Sequence, residues 1–383
     1  MQDTTGGPAD AATEYELKLT APPDVLDRVF ADAGGNAPAR RRRLVAVYYD
    51  TADRRLRARG AALRVRREGQ RFVQALKIAR GPFERLEDEV KVAGPSPELA
   101  AIGDDAARRA LGAVFAEELA PVFVSDVERR TREVTVEDGD GGSGRVELAL
   151  DHGTLSAGDR REPVAELELE LKAGDRRQVF ALAERLVDAG ATRIVTRNKA
   201  ERGYGLADGT GPAAAKAAKM RLARGTAVGD ALGRVMDGVF AQLWANHAAA
   251  FDGSDPEGVH QLRVGVRRLR SALSLFGGVV APARLAAMKQ EARWAMAELG
   301  RCRDLDVFAT EVLPPVAAGR PNDAALAQLR AAAEDARERA YERLREVLAS
   351  ARYTHFLLGL GAWLAGRGWY EEAGTETALR LAE

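Results

Sequence analysis

One cysteine, Cys302, is all the thiol chemistry that 383 residues carry, so an intrachain disulfide and a multi-cysteine zinc site are both excluded. That count fits a reducing compartment. Histidine is nearly as scarce: His152, His247, His260 and His355 leave little room for a histidine metal cluster. Long apolar runs are also missing. The most apolar stretch, residues 356–366, falls well short of the roughly 20 residues that span a bilayer. The opening MQDTTGGPADAATEYELK lacks both the basic and the apolar region of an export signal, so residues 1–12 read as a disordered leader. The expected location is the cytoplasm, with no membrane partner. Net charge is absent too, since 57 Lys+Arg meet 57 Asp+Glu. A nucleic-acid binder working through bulk positive charge is not expected.

What is present is enough for folded structure. At 46% hydrophobic and 30% charged, the chain can bury substantial cores, and its length suggests two domains. The zero net charge hides segregation. Residues 40–80 carry 14 Lys+Arg against 3 Asp+Glu, residues 133–170 carry 3 against 11, and residues 258–303 carry 9 against 2. Only 8 of the cations are lysine, so arginine is the default cation here and a lysine is the more selective choice.

The segment 14–205 reads as strands punctuated by helices. In Glu14-Tyr15-Glu16-Leu17-Lys18-Leu19 the charged and apolar residues alternate strictly, and the same grammar recurs at 63–66, 85–91 and 165–171. Further strands are expected at 72–78, 121–136 and 145–151, and helices at 23–33, roughly 97–119 and 176–189. Each strand alone could be an ordinary amphipathic strand with its polar face in water. Together, acidic and basic faces on one set of strands suit a closed barrel with a polar lumen and apolar faces packed outward on helices. Such a lumen is costly when empty of counter-charge. A short polyanion with a divalent cation supplies it: arginine and lysine hold phosphates, and carboxylate oxygens hold Mg²⁺ or Mn²⁺. No P-loop or Rossmann glycine pattern is present, so side chains must hold the phosphate.

Glu14-x-Glu16-x-Lys18 resembles the signature of the CYTH superfamily, the triphosphate tunnel metalloenzymes. Further features fit in order: Tyr49-Asp50-Thr51, Leu63-Arg64-Val65-Arg66, Gln74-Ala75-Leu76-Lys77, Arg85-x-Glu87-x-Glu89, Asp151-His152-Gly153, Glu166-x-Glu168-x-Glu170 and Lys199-x-x-Arg202-Gly203. The resemblance covers about half the chain, residues 13–206. It implies an antiparallel tunnel of about eight strands that needs Mg²⁺ or Mn²⁺. The implied activity is hydrolysis of inorganic triphosphate, thiamine triphosphate or a related short substrate, with nucleotide cyclisation in some members. It further implies that Glu14, Glu16, Glu168 and Glu170 bind metal, that Lys18, Arg64, Arg66, Lys77, Arg129 and Lys199 hold phosphate oxygens, and that Arg202 contacts substrate. Arg129 is chosen over Arg130 because it shares its face with Thr131, Glu133 and Thr135. Three of the 8 lysines fall at these positions.

Residues 207–224 turn to Ala, Gly and Pro and read as a linker. Helical spacing follows in 225–383. The clearest helix starts at Asp255-Pro256, a cap residue followed by proline at the first helical position. On it His260, Arg263, Arg267 and Arg270 share one arc, while Leu262, Val266, Leu269, Leu273 and Phe276 form an apolar stripe. Lys289 and Arg293 add a basic pair on the next helix. Val259-His260-x-Leu262-Arg263-x-x-x-Arg267-Arg268-Leu269-Arg270 and Arg303-Asp304-Leu305-Asp306-Val307 resemble the CHAD domain. That resemblance implies a helical bundle whose basic cleft binds long-chain polyphosphate. CHAD usually has two related halves, and this segment shows one basic helix, so only part of the cleft is expected. The expected fold class is therefore α+β: an antiparallel β-barrel tunnel with flanking helices, then an all-α bundle. The expected function is a metal-dependent triphosphatase with a polyanion-docking domain. A non-catalytic polyphosphate binder and a CYTH-type adenylate cyclase are the alternatives.

Overall fold

A computed structural model describes residues 12–34, 38–137, 142–190, 193–372, 377, 381 and 382. The leader expected at 1–12 lies outside these residues, apart from Ala12 at the start of the first strand. Two compact units are present. One runs to residue 190 and includes Arg197–Thr210; the other takes in residues 193–196 and the chain from Gly211 onward.

In the first unit eight strands form a closed antiparallel barrel: β1 (Ala12–Thr20), β2 (Arg40–Asp50), β3 (Ala61–Glu68), β4 (Arg71–Ala79), β5 (Glu84–Val92), β6 (Ala120–Glu137), β7 (Ser143–Ala157) and β8 (Arg160–Ala173). They pair in the order β5-β4-β3-β2-β6-β7-β8-β1, and β5 closes onto β1. β1 makes the closure by splitting its partners: residues 12–15 pair with β5 and residues 16–19 with β8.

The alternation works as the sequence suggests, with carbon outside and charge inside. On β3 and β4 the outward residues Ala61, Leu63, Val65 and Leu76 form a core with Ile102, Ala107, Leu111 and Val114. Outward Tyr15 packs at 6.4 Å on Phe180 of the helix Arg177–Asp188, and Phe83 meets the same ring at 5.2 Å. Burying such a side chain stabilises by about 1.5–3 kcal/mol, which gives these helices their hold on the barrel.

The flanking helices are α1 (Pro23–Ala33), α2 (Arg55–Ala58), α3 (Asp105–Leu111), α4 (Arg177–Asp188) and α5 (Lys199–Asp208). The single helix expected over 97–119 is not formed. In its place stand a 3₁₀ turn at Leu99–Ala101, then α3, then a 3₁₀ turn at Ala116–Glu118. The break has a tertiary cause: the Asp88 carboxylate of β5 accepts the N–H groups of Gly103 and Asp104 at 2.9 and 2.6 Å. Asp104 then caps α3 through the N–H of Ala107, and Gly112 at φ 58° ends it.

The second unit is helical: α6 (Val228–Asp252), α7 (Pro256–Leu275), α8 (Pro282–Val307), a π turn at Phe308–Val312, α9 (Leu313–Ala318), α10 (Ala324–Leu348), α11 (Ala351–Ala365) and α12 (Gly368–Glu371). Asp255 caps α7 by accepting the N–H of Glu257, and Pro256 follows it. Leu262, Val266, Leu269 and Leu273 are buried as expected, while Phe276 lies just past the helix and is half-buried. Buried Asp306 ties α8 to α10, accepting from Arg337 at 2.7 Å and from Tyr341 at 2.9 Å. Part of the segment that reads as a linker is anchored: Ala215 exchanges two 2.8 Å hydrogen bonds with Asn246 of α6.

Candidate functional site

The barrel lumen is built by register. Lys18 on β1 faces Glu168 on β8; Glu168 faces Ala149 on β7; Glu166 faces Asp151; and Asp151 faces Arg129 on β6. Directly opposed residues of antiparallel strands share a face, so these charges meet inside. On the other half of the wall Arg64 and Arg66 of β3, Lys77 of β4 and Arg85, Glu87 and Glu89 of β5 do the same.

α5 lies across one end and adds two further cations. Asn198 and Glu201 cap it reciprocally, at 3.0 and 2.8 Å. Its seat is close: a Cβ at Gly203 would stand 2.2 Å from the Phe123 ring, so only glycine fits there. Tyr204 packs with Tyr48 and Phe123 and donates to buried Asp50 at 2.9 Å. These contacts point Lys199 and Arg202 at the barrel wall. Lys199 reaches Asp151 at 2.7 Å, Glu168 at 2.8 Å and Glu166. Arg202 reaches Glu162 at 2.7 Å and Glu166 at 3.0 Å.

Three carboxylates converge: Asp151, Glu166 and Glu168, all buried, each offer an oxygen within 4.8 Å of the other two. Three hard oxygen donors suit Mg²⁺ or Mn²⁺. In the structure cations fill that role. Arg129 grips Asp151 with two bonds of 2.7 and 2.6 Å and also meets Glu168. Lys18 meets Glu168 and, at 2.7 Å, Glu16.

Burial opposes ionisation of Glu168, but Arg129, Lys18 and Lys199 outweigh it and hold the carboxyl well below its ordinary range. Asp151 is also held low, Lys199 and Arg129 overcoming its burial, as Lys18 and Arg85 do for Glu16. Burial likewise works against Lys199, whose charge is nonetheless fixed by Asp151, Glu166 and Glu168. Glu14 differs. Burial and neighbouring Glu87 push it up to about 8 despite Lys77. Glu87 is held low because Lys77, Glu14 and Arg64 overcome its burial.

Of the expected metal ligands, the structure puts Glu168 in the carboxylate cluster. Glu16 lies beside it, sharing Lys18. Glu14 is paired with Lys77 at 2.9 Å. Glu170 pairs at 2.6 Å with Lys172, nearer the rim. Among the expected phosphate contacts, Lys18, Arg129 and Lys199 stand at the cluster. Arg64, Arg66 and Lys77 line the opposite wall, held by Glu87 at 3.3 Å, Glu68 at 2.5 Å and Glu87 at 2.7 Å respectively. Asp151, Glu166 and Arg85, which contacts Glu16 at 2.5 Å, join the site in the structure without a role expected from the sequence. Their signal was the alternation at 85–89 and 166–170 together with Asp-His-Gly, which gives each residue's face but not its cross-strand partner.

The second unit has a basic cleft of about 590 Å³ lined by Arg267, Arg270, Ser271, Ser274, Lys289 and Arg293. His260 and Arg263 are not among its lining residues; their Nδ1 and Nε atoms are buried without a hydrogen-bond partner among the described residues.

Comparison with known proteins agrees with both halves. The CYTH domain model matches residues 12–204 and the CHAD domain model residues 234–383. Among solved structures, the CHAD domain of the plant Ricinus communis is similar at 34% identity over 41% of this chain, with a TM-score of 0.37. The chain spans 52% of that protein's length. A putative adenylyl cyclase from Hippeastrum, described as having a dominant triphosphatase activity, is similar at 19% identity over 52% of this chain and 96% of its own, with a TM-score of 0.37. A putative adenylate cyclase from Bacillus halodurans is similar at 18% identity over 51% of this chain and 98% of its own, with a TM-score of 0.35. The CYTH match covers half of the sequence and coincides with a closed eight-stranded barrel whose lumen carries the signature residues. The chain belongs to the CYTH family, and a CHAD domain follows the CYTH domain in the same sequence.

Proposed function

We propose that the barrel hydrolyses inorganic triphosphate or a related short-chain triphosphate with Mg²⁺ or Mn²⁺, and that the helical domain binds polyphosphate. One observation carries the first part. Asp151, Glu166 and Glu168, an oxygen set fit for one divalent cation, lie in direct contact with Lys18, Arg129 and Lys199, a cation set fit for phosphate. Without ligands the two sets neutralise each other. Asp151, Glu166 and Glu168 would hold the metal, and Lys18, Arg129 and Lys199 would hold the phosphate oxygens. The metal supplies charge neutralisation and Lewis acidity at the phosphates. Arg64, Arg66 and Lys77 hold the chain from the opposite wall, and catalysis is largely positioning and electrostatic stabilisation.

Phosphate release from tripolyphosphate, thiamine triphosphate, ATP and long-chain polyphosphate, each with Mg²⁺, Mn²⁺ or chelator, tests this. The expected outcome is metal-dependent release from a triphosphate. Binding without release identifies a non-catalytic polyphosphate binder, and a cyclic product from ATP identifies a cyclase. For the helical domain the supporting observation is the cleft walled by Arg267, Arg270, Lys289 and Arg293. A polyanion on several cations releases counterions, so polyphosphate binding should weaken steeply as salt rises. Binding by the full chain that is indifferent to salt and unchanged in R267Q/R270Q contradicts it.

A further inference from the structure

β2 opens with four consecutive arginines, Arg40, Arg41, Arg42 and Arg43, all exposed. They divide by face. The outward pair is neutralised: Arg41 meets Glu128 at 2.5 Å, and Arg43 grips Asp126 with bonds of 2.9 and 2.6 Å. The inward pair is not. Arg42 stands directly opposite Arg129, and Arg40 opposite Thr131, so both share the lumen face with Arg129. Among the described residues Arg42 has only a 3.9 Å approach to Glu68, a carboxylate already held by Arg66 at 2.5 Å. Arg40 makes no ion pair with any described residue.

Their place along the barrel is fixed by the other end of the strand. Asp50 at that end receives Tyr204 of α5, so the arginines lie at the mouth away from α5. Same-face residues on a strand are spaced by about 6.8 Å. Arg42 is therefore level with Arg129, and Arg40 stands one such step further toward the mouth. Arginines facing one another are repulsive unless an anion lies between them, and Arg129 already has Asp151 and Glu168. Across the mouth the register aligns Glu133, Glu147 and Glu170, which confines an anion to the β2–β3 side.

We propose that Arg40 and Arg42 form a mouth-side subsite for the phosphates of a linear polyphosphate beyond the third, so that the tunnel favours chains longer than triphosphate. This rests on the triphosphatase reading of the lumen and specifies its substrate class. The test compares tripolyphosphate with tetrapolyphosphate on the full chain, by KM for hydrolysis and by calorimetric binding with Mg²⁺ present. Arg40→Gln with Arg42→Gln should weaken tetrapolyphosphate about tenfold while leaving tripolyphosphate within about twofold. Arg41→Gln with Arg43→Gln should leave the ratio of the two substrates unchanged. Equal loss for both substrates in the first variant, no loss for either, or the same selective loss in the second variant overturns the subsite. Absence of hydrolysis in the parent protein sinks the triphosphatase reading instead, and the calorimetric ratio still decides the subsite.

Discussion

At the scale of single residues, two glutamates separated by one leucine have opposite surroundings. Glu168 is buried among Lys18, Arg129 and Lys199 and shares a cation-sized space with Asp151 and Glu166. Glu170 pairs with Lys172 and is more exposed. Glu168→Gln should therefore lower metal-dependent turnover by about 100-fold or more, whereas Glu170→Gln should stay within about threefold. The first change also leaves three buried cations short of a partner, which costs about 3–5 kcal/mol, so circular dichroism must show a folded protein. A folded E168Q that keeps the parent's turnover, or an E170Q as damaged as E168Q, removes the cluster from the chemistry. The same pair shows what can be read at this scale from sequence. Strict alternation over 165–171 places Glu166, Glu168 and Glu170 on one face. It does not say that Asp151 and Arg129 lie across from them, because that depends on the register of β6, β7 and β8. Lysine scarcity was the better guide, since Lys18, Lys77 and Lys199 all sit in the lumen.

At the scale of elements, the barrel was legible because its strands carry their own two-residue period, and α1 and α4 because they carry a helical one. The segment 97–119 was misread as one helix because the residue that breaks it, Asp88, belongs to another strand and acts through hydrogen bonds no local pattern reveals. α5 depends on tertiary contacts in a similar way. Its capping box is local, but its position is set by Gly203 against Phe123 and by the bond from Tyr204 to Asp50. Asp50 also accepts the N–H groups of Thr51, Leu56 and Arg57, so one buried carboxylate joins β2, α2 and α5. Tyr204→Phe keeps the ring and removes the hydroxyl. It should destabilise the barrel by about 1–3 kcal/mol and raise KM for triphosphate, because the helix that delivers Lys199 loses its tie. Denaturant titration and steady-state kinetics read the two effects. Unchanged stability together with unchanged KM would show that packing alone seats α5.

At the scale of the whole molecule, the two units can be followed separately in the intact chain. All 4 tryptophans, Trp244, Trp294, Trp363 and Trp369, lie in the helical unit, so indole fluorescence reports its unfolding. That unit buries His247, whose ring stacks at 5.5 Å on Tyr353 and 6.3 Å on Phe251. Burial, with a smaller contribution from Arg193, lowers its pKa from 6.5 to about 3. The folded state thus holds the imidazole neutral, while an unfolded chain protonates it near 6.5. Because the folded-state pKa is the depressed one, the stabilising contribution is complete above about 6.5 and is lost progressively as pH falls toward about 3. Glu14, the carboxyl pushed up to about 8, belongs to the barrel unit, so between about pH 7.5 and 5.5 tryptophan fluorescence follows the unit that holds His247 and not Glu14. The urea midpoint followed by tryptophan fluorescence should fall across that interval in the parent protein. His247→Phe keeps an aromatic ring against Tyr353 and has no proton to bind, so its midpoint should fall less, whatever its absolute stability. Parallel pH dependences in the two proteins would mean that His247 titrates alike in the folded and unfolded chains.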